Sequence, residues 1–318
     1  MADGNHTFPG QRGLSLGGQH TAPSSRLLVR RFVRDVKQST AHYRNGVHLA
    51  IEKSLTRLLG GESRRILMSD APEWADRTKD EIRTGFSHTH HKMEFGTVSP
   101  LSFAQYDLVV PWALSDLKQF RQWPQSLVKN TIPIPSEESV SLCDDKYQFS
   151  RTLIDKGFGS YIPRLGIGLG QAPYILKKRT GVWGKECWMI RDRDDELQFL
   201  DQLNDPAYFS QEIIRGPREF ATHILFANGR IVKSLNIMYE FDTDLPIKGQ
   251  DRWSFRVIYR CPYLRLFARI LTSIGFQGLC CVNYKVARRR PYLLEINPRF
   301  GASLAPYFFS FIRHLNFD

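Results

Sequence analysis

The stretch Pro291-Tyr292-Leu293-Leu294-Glu295-Ile296-Asn297-Pro298-Arg299-Phe300-Gly301 sets a carboxylate, an amide and a guanidinium behind a short apolar run. On a β-strand successive side chains point to opposite faces, so Glu295 and Asn297 share one. Two oxygen donors on one face suit a hard cation such as Mg²⁺, which takes one or two carboxylates together with phosphate oxygens. Pro298 cannot donate to a sheet ladder, so the strand ends there and Arg299 stands just beyond it. Metal donors beside a guanidinium are what phosphoryl transfer uses. A buried strand that ends in polar residues presents the same residues, and this stretch alone does not separate the two readings.

The elements that must position these groups lie immediately upstream. Cys280-Cys281-Val282-Asn283-Tyr284-Lys285-Val286 reads as a β-branched, aromatic strand, and Ala287-Arg288-Arg289-Arg290 as a short basic turn. The two strands form a hairpin that brings Asn283 opposite Glu295 and Asn297 as a third oxygen donor. With this pair the sequence resembles the ATP-grasp superfamily, most closely the branch typified by the ATP-binding halves of carbamoyl-phosphate synthetase. In that pattern an amide- or acid-bearing strand precedes a Glu-x-Asn-Pro-Arg strand. The resemblance covers the chain from Cys143 onward, with several motifs in the expected order.

The resemblance implies an α+β protein: two α+β lobes of an ATP-grasp fold that hold ATP between two antiparallel sheets, preceded by a Rossmann-like α/β domain. It implies roles residue by residue. Lys146, in the first turn of a helix opened by Cys143-Asp144-Asp145 and stopped near Gly157, and Lys177, ending the strand Pro173–Lys178, reach the phosphates. The loop Arg179–Lys185, with Gly181 and Gly184, forms a lid whose backbone can approach phosphate oxygens. Lys178 after Lys177, and Trp183 in the lid, depart from the family pattern. On the strand Phe209–Ile214, Glu212 and the backbone of Ile214 meet the adenine edge, and Glu219 beyond it meets the ribose. Asn283, Glu295 and Asn297 position Mg²⁺ or Mn²⁺, and Arg299 stabilises the transferring phosphoryl group. Where close relatives carry a nucleotide-contacting His, this chain has Glu240; Glu240, Asp242 and Asp244 read either as a solvated acidic loop or as binders of a metal or cationic substrate group.

The chain before these motifs sets the domain plan. Residues 1–25 are rich in Gly, Ser, Gln and Pro and predict a disordered segment. Residues 26–135 predict a helical lead-in and the α/β domain, and 136–318 the ATP-grasp domain. From Leu27 to Leu59, Val29, Phe32, Val33, Val36, Tyr43, Val47, Ile51, Leu55 and Leu58 recur at helical spacing. They predict one long or two shorter amphipathic helices, weak at Gly46 and stopped by Gly60-Gly61, whose polar face carries Arg30, Arg31, Arg34 and Lys37 and is either solvated or partner-binding. Strands are expected at Arg65–Ser69, Tyr106–Pro111 and Ser126–Val128. No Gly-x-Gly-x-x-Gly marks dinucleotide binding. His88, His90 and His91 read as a polar loop, since no acid or Cys completes a metal set. Asn228-Gly229 predicts a hairpin turn, Tyr263–Gly275 an amphipathic helix, and Leu304–Phe317 a final one. Trp253–Arg256 is a stretch where a substrate contact through Arg256, or a structural salt bridge, is open.

Composition limits the rest. The 318 residues, 42% hydrophobic and 24% charged, suffice for about two domains. No apolar run reaches the ~18 residues a bilayer requires. The five cysteines lack metal-ligand spacing and read as reduced thiols of a cytoplasmic protein. The net charge of +12 concentrates early, with eleven Arg/Lys against four Asp/Glu up to Arg65. That basic surface leaves nucleic-acid or membrane-surface contact open, though a nucleic-acid partner is not expected.

The expected activity is therefore an ATP-dependent carboxylate–amine ligase, using an acyl phosphate of an amino acid or other small carboxylate. Its partners are the carboxylate and amine substrates, with a homodimer left open. The alternatives are an ATP-grasp kinase or carboxylase, or a non-catalytic protein that binds ATP or nucleic acid.

Overall fold

A computed structural model describes residues 25–59, 62–70, 72, 75–181 and 184–315, with side chains from 33 onward. The expectations for residues 1–24, for the Gly60-Gly61 helix stop and for Trp183 lie outside the described residues. The chain opens with a 35-residue helix, α1 (Ser25–Leu59). Then β1 (Arg65–Ser69), α2 (Asp76–Phe86), β2 (Lys92–Gly96), α3 (Ser102–Gln105), β3 (Leu108–Val110) and α4 (Leu114–Gln122) follow. The three strands form a parallel sheet in the order β2-β1-β3. Ser126–Val128, expected as a strand, is a turn instead: Pro124 supplies a carbonyl that accepts from the backbone N–H of both Leu127 and Val128. A proline just ahead of three strand-compatible residues favours the turn.

Next come α5 (Glu137–Asp144) and α6 (Lys146–Leu153). The sequence reading starts its helix at Asp144-Asp145; the structure puts a full helix before that point. Ser136 caps α5 by accepting from the Ser139 N–H, with Glu137 and Glu138 in the first turn. Asp145 then breaks the run and caps α6, accepting from Tyr147 and Gln148. The α-helix ends at Leu153 and passes into a π-helical turn, Ile154–Phe158, and a 3₁₀ turn, Gly159–Tyr161; Gly157, at φ 84°, kinks this run where the sequence predicts its end.

The second sheet is antiparallel, ordered β5-β4-β6, from β4 (Tyr174–Lys178), β5 (Cys187–Ile190) and, after the short helices α7 (Arg193–Gln198) and α8 (Leu200–Asn204), β6 (Tyr208–Glu212). The third holds β7 (Arg218–Ala227), β8 (Arg230–Phe241), β9 (Trp253–Ile258), β10 (Gly278–Ala287) and β11 (Arg290–Asn297), with α9 (Leu264–Ser273) between β9 and β10. It is also antiparallel, ordered β11-β10-β7-β8-β9. Asn228 and Gly229, both at positive φ, turn β7 into β8, the two-residue hairpin expected from Asn-Gly. Arg288 and Arg289 do the same between β10 and β11, at φ 50° and 61°. The expected terminal helix is instead a 3₁₀ stretch, Ala302–Tyr307, followed by α10 (Phe309–Ile312). Pro306 lacks the N–H an α-helix needs at that point.

Alternation in the five-stranded sheet sorts two cores. Ile224, Phe226, Cys280, Val282 and Tyr284 pack on Phe149 and Leu153 of α6 and on Phe267, Ile270 and Leu271 of α9. On the opposite face Leu225, Leu235, Ile237 and Leu279 pack against Ile66, Met68, Leu108, Val110 and the C-terminal Phe308, Phe309 and Phe311. The same face also carries the polar Glu219, His223, Asn283 and Lys285.

Helix α1 runs through Gly46 without a break and lies along β9, the edge of the large sheet. Its docked face sets Ala41 on Met238 and Val257 and Leu49 on the main core, and is otherwise polar. Gln38 Nε2 donates to the Ser254 carbonyl (2.8 Å), Asn45 Nδ2 to the Arg256 carbonyl (2.9 Å), and the Ile258 N–H donates to Asn45 Oδ1 (2.8 Å). Further along, Glu52 is buried between Lys233 (2.9 Å) and Arg313 (2.8 Å). Arg34 and Lys37 reach Asp242 (3.7 Å) and Glu240 (3.2 Å), and Glu240 also accepts from Arg218 (2.6 Å). Two of the acidic residues weighed as metal or substrate binders thus hold α1, and Arg256 stacks over Trp253 at 5.6 Å. No helix among the described residues is long and apolar enough to cross a membrane.

Candidate functional site

The face of the large sheet that carries Glu219, Asn283 and Lys285 looks across a cleft at the three-stranded sheet. Register decides what stands there. Asn283 pairs with Glu295 and Cys281 with Asn297, as the hairpin reading requires. Glu295 Oε1 accepts from Asn283 Nδ2 (2.8 Å) and Asn297 Nδ2 (2.9 Å). Its Oε2 lies 3.7 Å from Lys146 Nζ, which is half-buried in the first turn of α6 and also donates to the Gly181 carbonyl (2.6 Å). Burial pushes the Glu295 carboxyl up, but Lys146, the two amides and Lys177 outweigh it and hold its pKa below the ordinary range.

From the opposing sheet, Ile175 and Lys177 on β4 and Met189 on β5 line the cleft. Lys177 Nζ donates to Gln211 Oε1 (2.8 Å), whereas Lys178 is bound to Glu186 (2.6 Å). Glu212 and Ile214 line the same cleft. The Glu212 carboxylate accepts from the Arg164 backbone N–H at 3.1 Å, so its side chain is turned to its own lobe. Glu219 is buried deeper, 3.6 Å from Lys248. Burial raises its pKa, and Lys248 and Lys285 only partly offset that.

Lys248 was not singled out by sequence reasoning. It belongs to the irregular connection between β8 and β9, where no periodicity marks a residue. Its ammonium donates to Asn283 Oδ1 (3.1 Å) and lies over the Tyr239 ring at 4.6 Å. Burial lowers its pKa, but Glu219 and then Tyr239 more than offset this, so the group stays charged. Lys285, buried on β10, was legible: it stands two residues after Asn283 and so on the same face. The connection bearing Lys248 clasps the lid loop, with Gln250 Nε2 donating to the carbonyls of Gly184 (2.6 Å) and Cys187 (2.7 Å). Gly184 has φ 65°, and a Cβ there would meet the Lys248 carbonyl at 2.8 Å, so only glycine allows this approach.

A second cavity adjoins the cleft and shares Glu219, Lys248, Asn283 and Glu295 with it. Its far wall is Asn297, Arg299, Gly301 and Ser303. His223 Nε2 and Ser303 Oγ lie 2.8 Å apart. Burial and Lys248 press the His223 pKa down to about 3, so the ring is neutral at pH 7. Gly301 passes so close to it that a Cβ would stand 2.6 Å from His223 Cε1. Cys281, also lining this cavity, is pushed by burial up to about 11 and stays a thiol.

The oxygen donors fit one hard cation. The Asn283 carbonyl oxygen accepts from Lys248, so of the expected donors Glu295 and the Asn297 carbonyl are the ones that would hold a divalent cation. No cluster of three His, Cys, Asp or Glu suited to a metal occurs among the described residues, the His88–His91 segment included.

No protein-family model and no curated protein matches the chain. Solved structures do. D-alanine–D-alanine ligase from Bacillus anthracis aligns with a TM-score of 0.53 at 13% identity, covering 77% of this chain and 89% of that one. The same ligase complexed with ATP aligns at 0.51, with the same identity and coverage. Phosphoribosylamine–glycine ligase from Thermotoga maritima aligns at 0.54 and 14% identity, covering 76% of this chain and 70% of that one. Two antiparallel sheets facing each other across a lysine-lined cleft, in a chain that superposes on these proteins at such low identity, are the ATP-grasp fold, and the chain has that fold.

Proposed function

We propose that this protein is an ATP-dependent ligase that activates a small carboxylate as an acyl phosphate and joins it to an amine. One arrangement supports the reading: Lys177 from one sheet, and Lys146, Asn283 and Glu295 from the other lobe, meet on a single cleft, with Asn297 bonded to Glu295 from the adjoining cavity. The ligase neighbours, one of them complexed with ATP, support ATP as the nucleotide. Lys146 and Lys177 would neutralise the triphosphate, the Glu212–Ile214 segment would meet the adenine edge, and Glu219 the ribose hydroxyls. Mg²⁺ or Mn²⁺, held by Glu295 and Asn297 with Asn283 beside them, would cancel charge on the phosphate oxygens.

The cavity beyond Lys248 is the place for the acceptor. A substrate carboxylate is anionic at pH 7, so no base is needed to prepare it. Its oxygen attacks the γ-phosphorus, the bond to the bridging oxygen breaks, and ADP leaves. An amine nitrogen then attacks the acyl carbon, phosphate departs with the carboxylate oxygen, and the amine proton is lost. Arg299, on the far wall, counters charge on the transferring group.

The test is isotopic. With an ¹⁸O-labelled carboxylate found by screening amino acids and amines for phosphate release, the label should appear in the released phosphate. An amide formed without label in phosphate, or a phosphorylated or carboxylated product in its place, sinks the ligase reading. Glu295→Ala and Arg299→Ala should each lower turnover by at least about a hundredfold with unchanged circular dichroism.

A further inference from the structure

The long helix is docked the opposite way round from what its amphipathicity suggests. Val33, Val36, Tyr43, Val47, Ile51 and Leu58 fall within an arc of about 80° at 3.6 residues per turn, along about 38 Å of helix. All six are exposed, from 41% at Val47 to 80% at Leu58. The inward face is Gln38, Ala41, Asn45, Leu49, Glu52 and Thr56, with Leu49 on the main core and the rest anchored largely by the edge-strand hydrogen bonds and the Lys233–Glu52–Arg313 ion pairs. Those partners fix the rotation of α1, so the apolar stripe cannot be the docked side.

What covers the stripe is decided by charge. Helix α1 carries eight Lys/Arg and two Asp/Glu, and of the two acids Glu52 is turned inward. Arg44 and Arg57 flank the stripe on its two sides. A second copy of the helix, in either direction, would set cations against cations. Residues 1–24 hold four large apolar residues, Met1, Phe8, Leu14 and Leu16, too few to cover a stripe of this length. An apolar stripe bordered by cations matches a surface with negative headgroups above hydrocarbon.

We infer that α1 is a membrane-surface helix, seating this protein on anionic bilayers by its Val33–Leu58 stripe. The inference does not rest on the ligase reading, since no residue of the stripe lines the cleft or the cavity beside it. The full chain is sedimented with phosphatidylcholine vesicles with and without phosphatidylserine, at low and high salt. Binding is expected to the anionic vesicles, to weaken with salt, and to fall at least about tenfold in the double variant Val47→Asp, Ile51→Asp. Leu127→Asp, at an exposed leucine elsewhere, should bind as the wild type does. An unchanged melting temperature in the double variant shows that the loss is not unfolding. Absence of vesicle binding, or binding that the double variant retains, overturns the inference. A dimer in sedimentation velocity that this variant dissociates, without vesicle binding, overturns it in favour of a second copy.

Discussion

Helices α1 and α9 serve the same five-stranded sheet and do so with opposite chemistry. Helix α9 covers its face and buries Phe267, Ile270 and Leu271. Helix α1 covers its edge mainly with polar groups, burying the Glu52 carboxylate and the Thr56 hydroxyl and half-burying the Asn45 amide, with only Ala41 and Leu49 as apolar contacts. The difference lies in what the sheet offers. A sheet face presents side chains and rewards apolar area, whereas an edge presents unpaired backbone N–H and C=O groups that need hydrogen-bond partners. Burial and hydrophobicity therefore coincide in one helix and part company in the other.

Removing a contact from each helix should widen that contrast. Phe267→Ala in α9 is expected to cost about 3–5 kcal/mol, read as a fall in denaturation midpoint. Glu52→Gln should cost about 3 kcal/mol, because it strands Lys233 and Arg313 in a buried site. The same residue gives a pH signature. Burial alone would raise the Glu52 pKa, but the hydrogen bond and charge of Lys233, with Arg313, bring it below the ordinary value. Its contribution is then full above the ordinary glutamate pKa of about 4.3 and is lost as pH falls through the lower folded-state value. The gap in melting temperature between wild type and Glu52→Gln should accordingly close on acidification; a gap that holds constant into strong acid would remove Glu52 as the cause.

Asn45→Ala withdraws two hydrogen bonds from β9 and should cost about 1–3 kcal/mol, with faster amide exchange at Ile258 as the local readout. Ile51→Ala, on the exposed stripe, should change stability by less than about 0.5 kcal/mol. A loss of several kcal/mol there would mean that the apolar side of α1 is buried after all.

These helices also mark how far the sequence could be read. The β10–β11 hairpin was legible because a period of two leaves little freedom: once Asn283 faces Glu295, Asn297 and Lys285 follow. Amphipathicity in α1 disclosed a stripe but not which side would dock, because that depends on a distant edge strand, Trp253–Ile258, that was itself read only as a stretch open to substrate. Lys248 escaped for a related reason. It is held over the cleft by Gln250, Asp251 and the approach to Gly184, contacts between irregular segments that no spacing encodes. The helix ahead of Asp145 had a visible start in Ser136, Glu137 and Glu138, which the run of motifs after Cys143 overshadowed.

Lys248 is a party wall: both chambers of the cleft are built against it. A polyanion entering one chamber would draw its ammonium from Asn283 and alter the floor of the other. Occupancies coupled in this way are bound by reciprocity, so a tenant of either chamber shifts affinity in its neighbour by the same factor. Calorimetric titration of nucleotide with and without acceptor should show that linkage in the wild type and lose it in Lys248→Met.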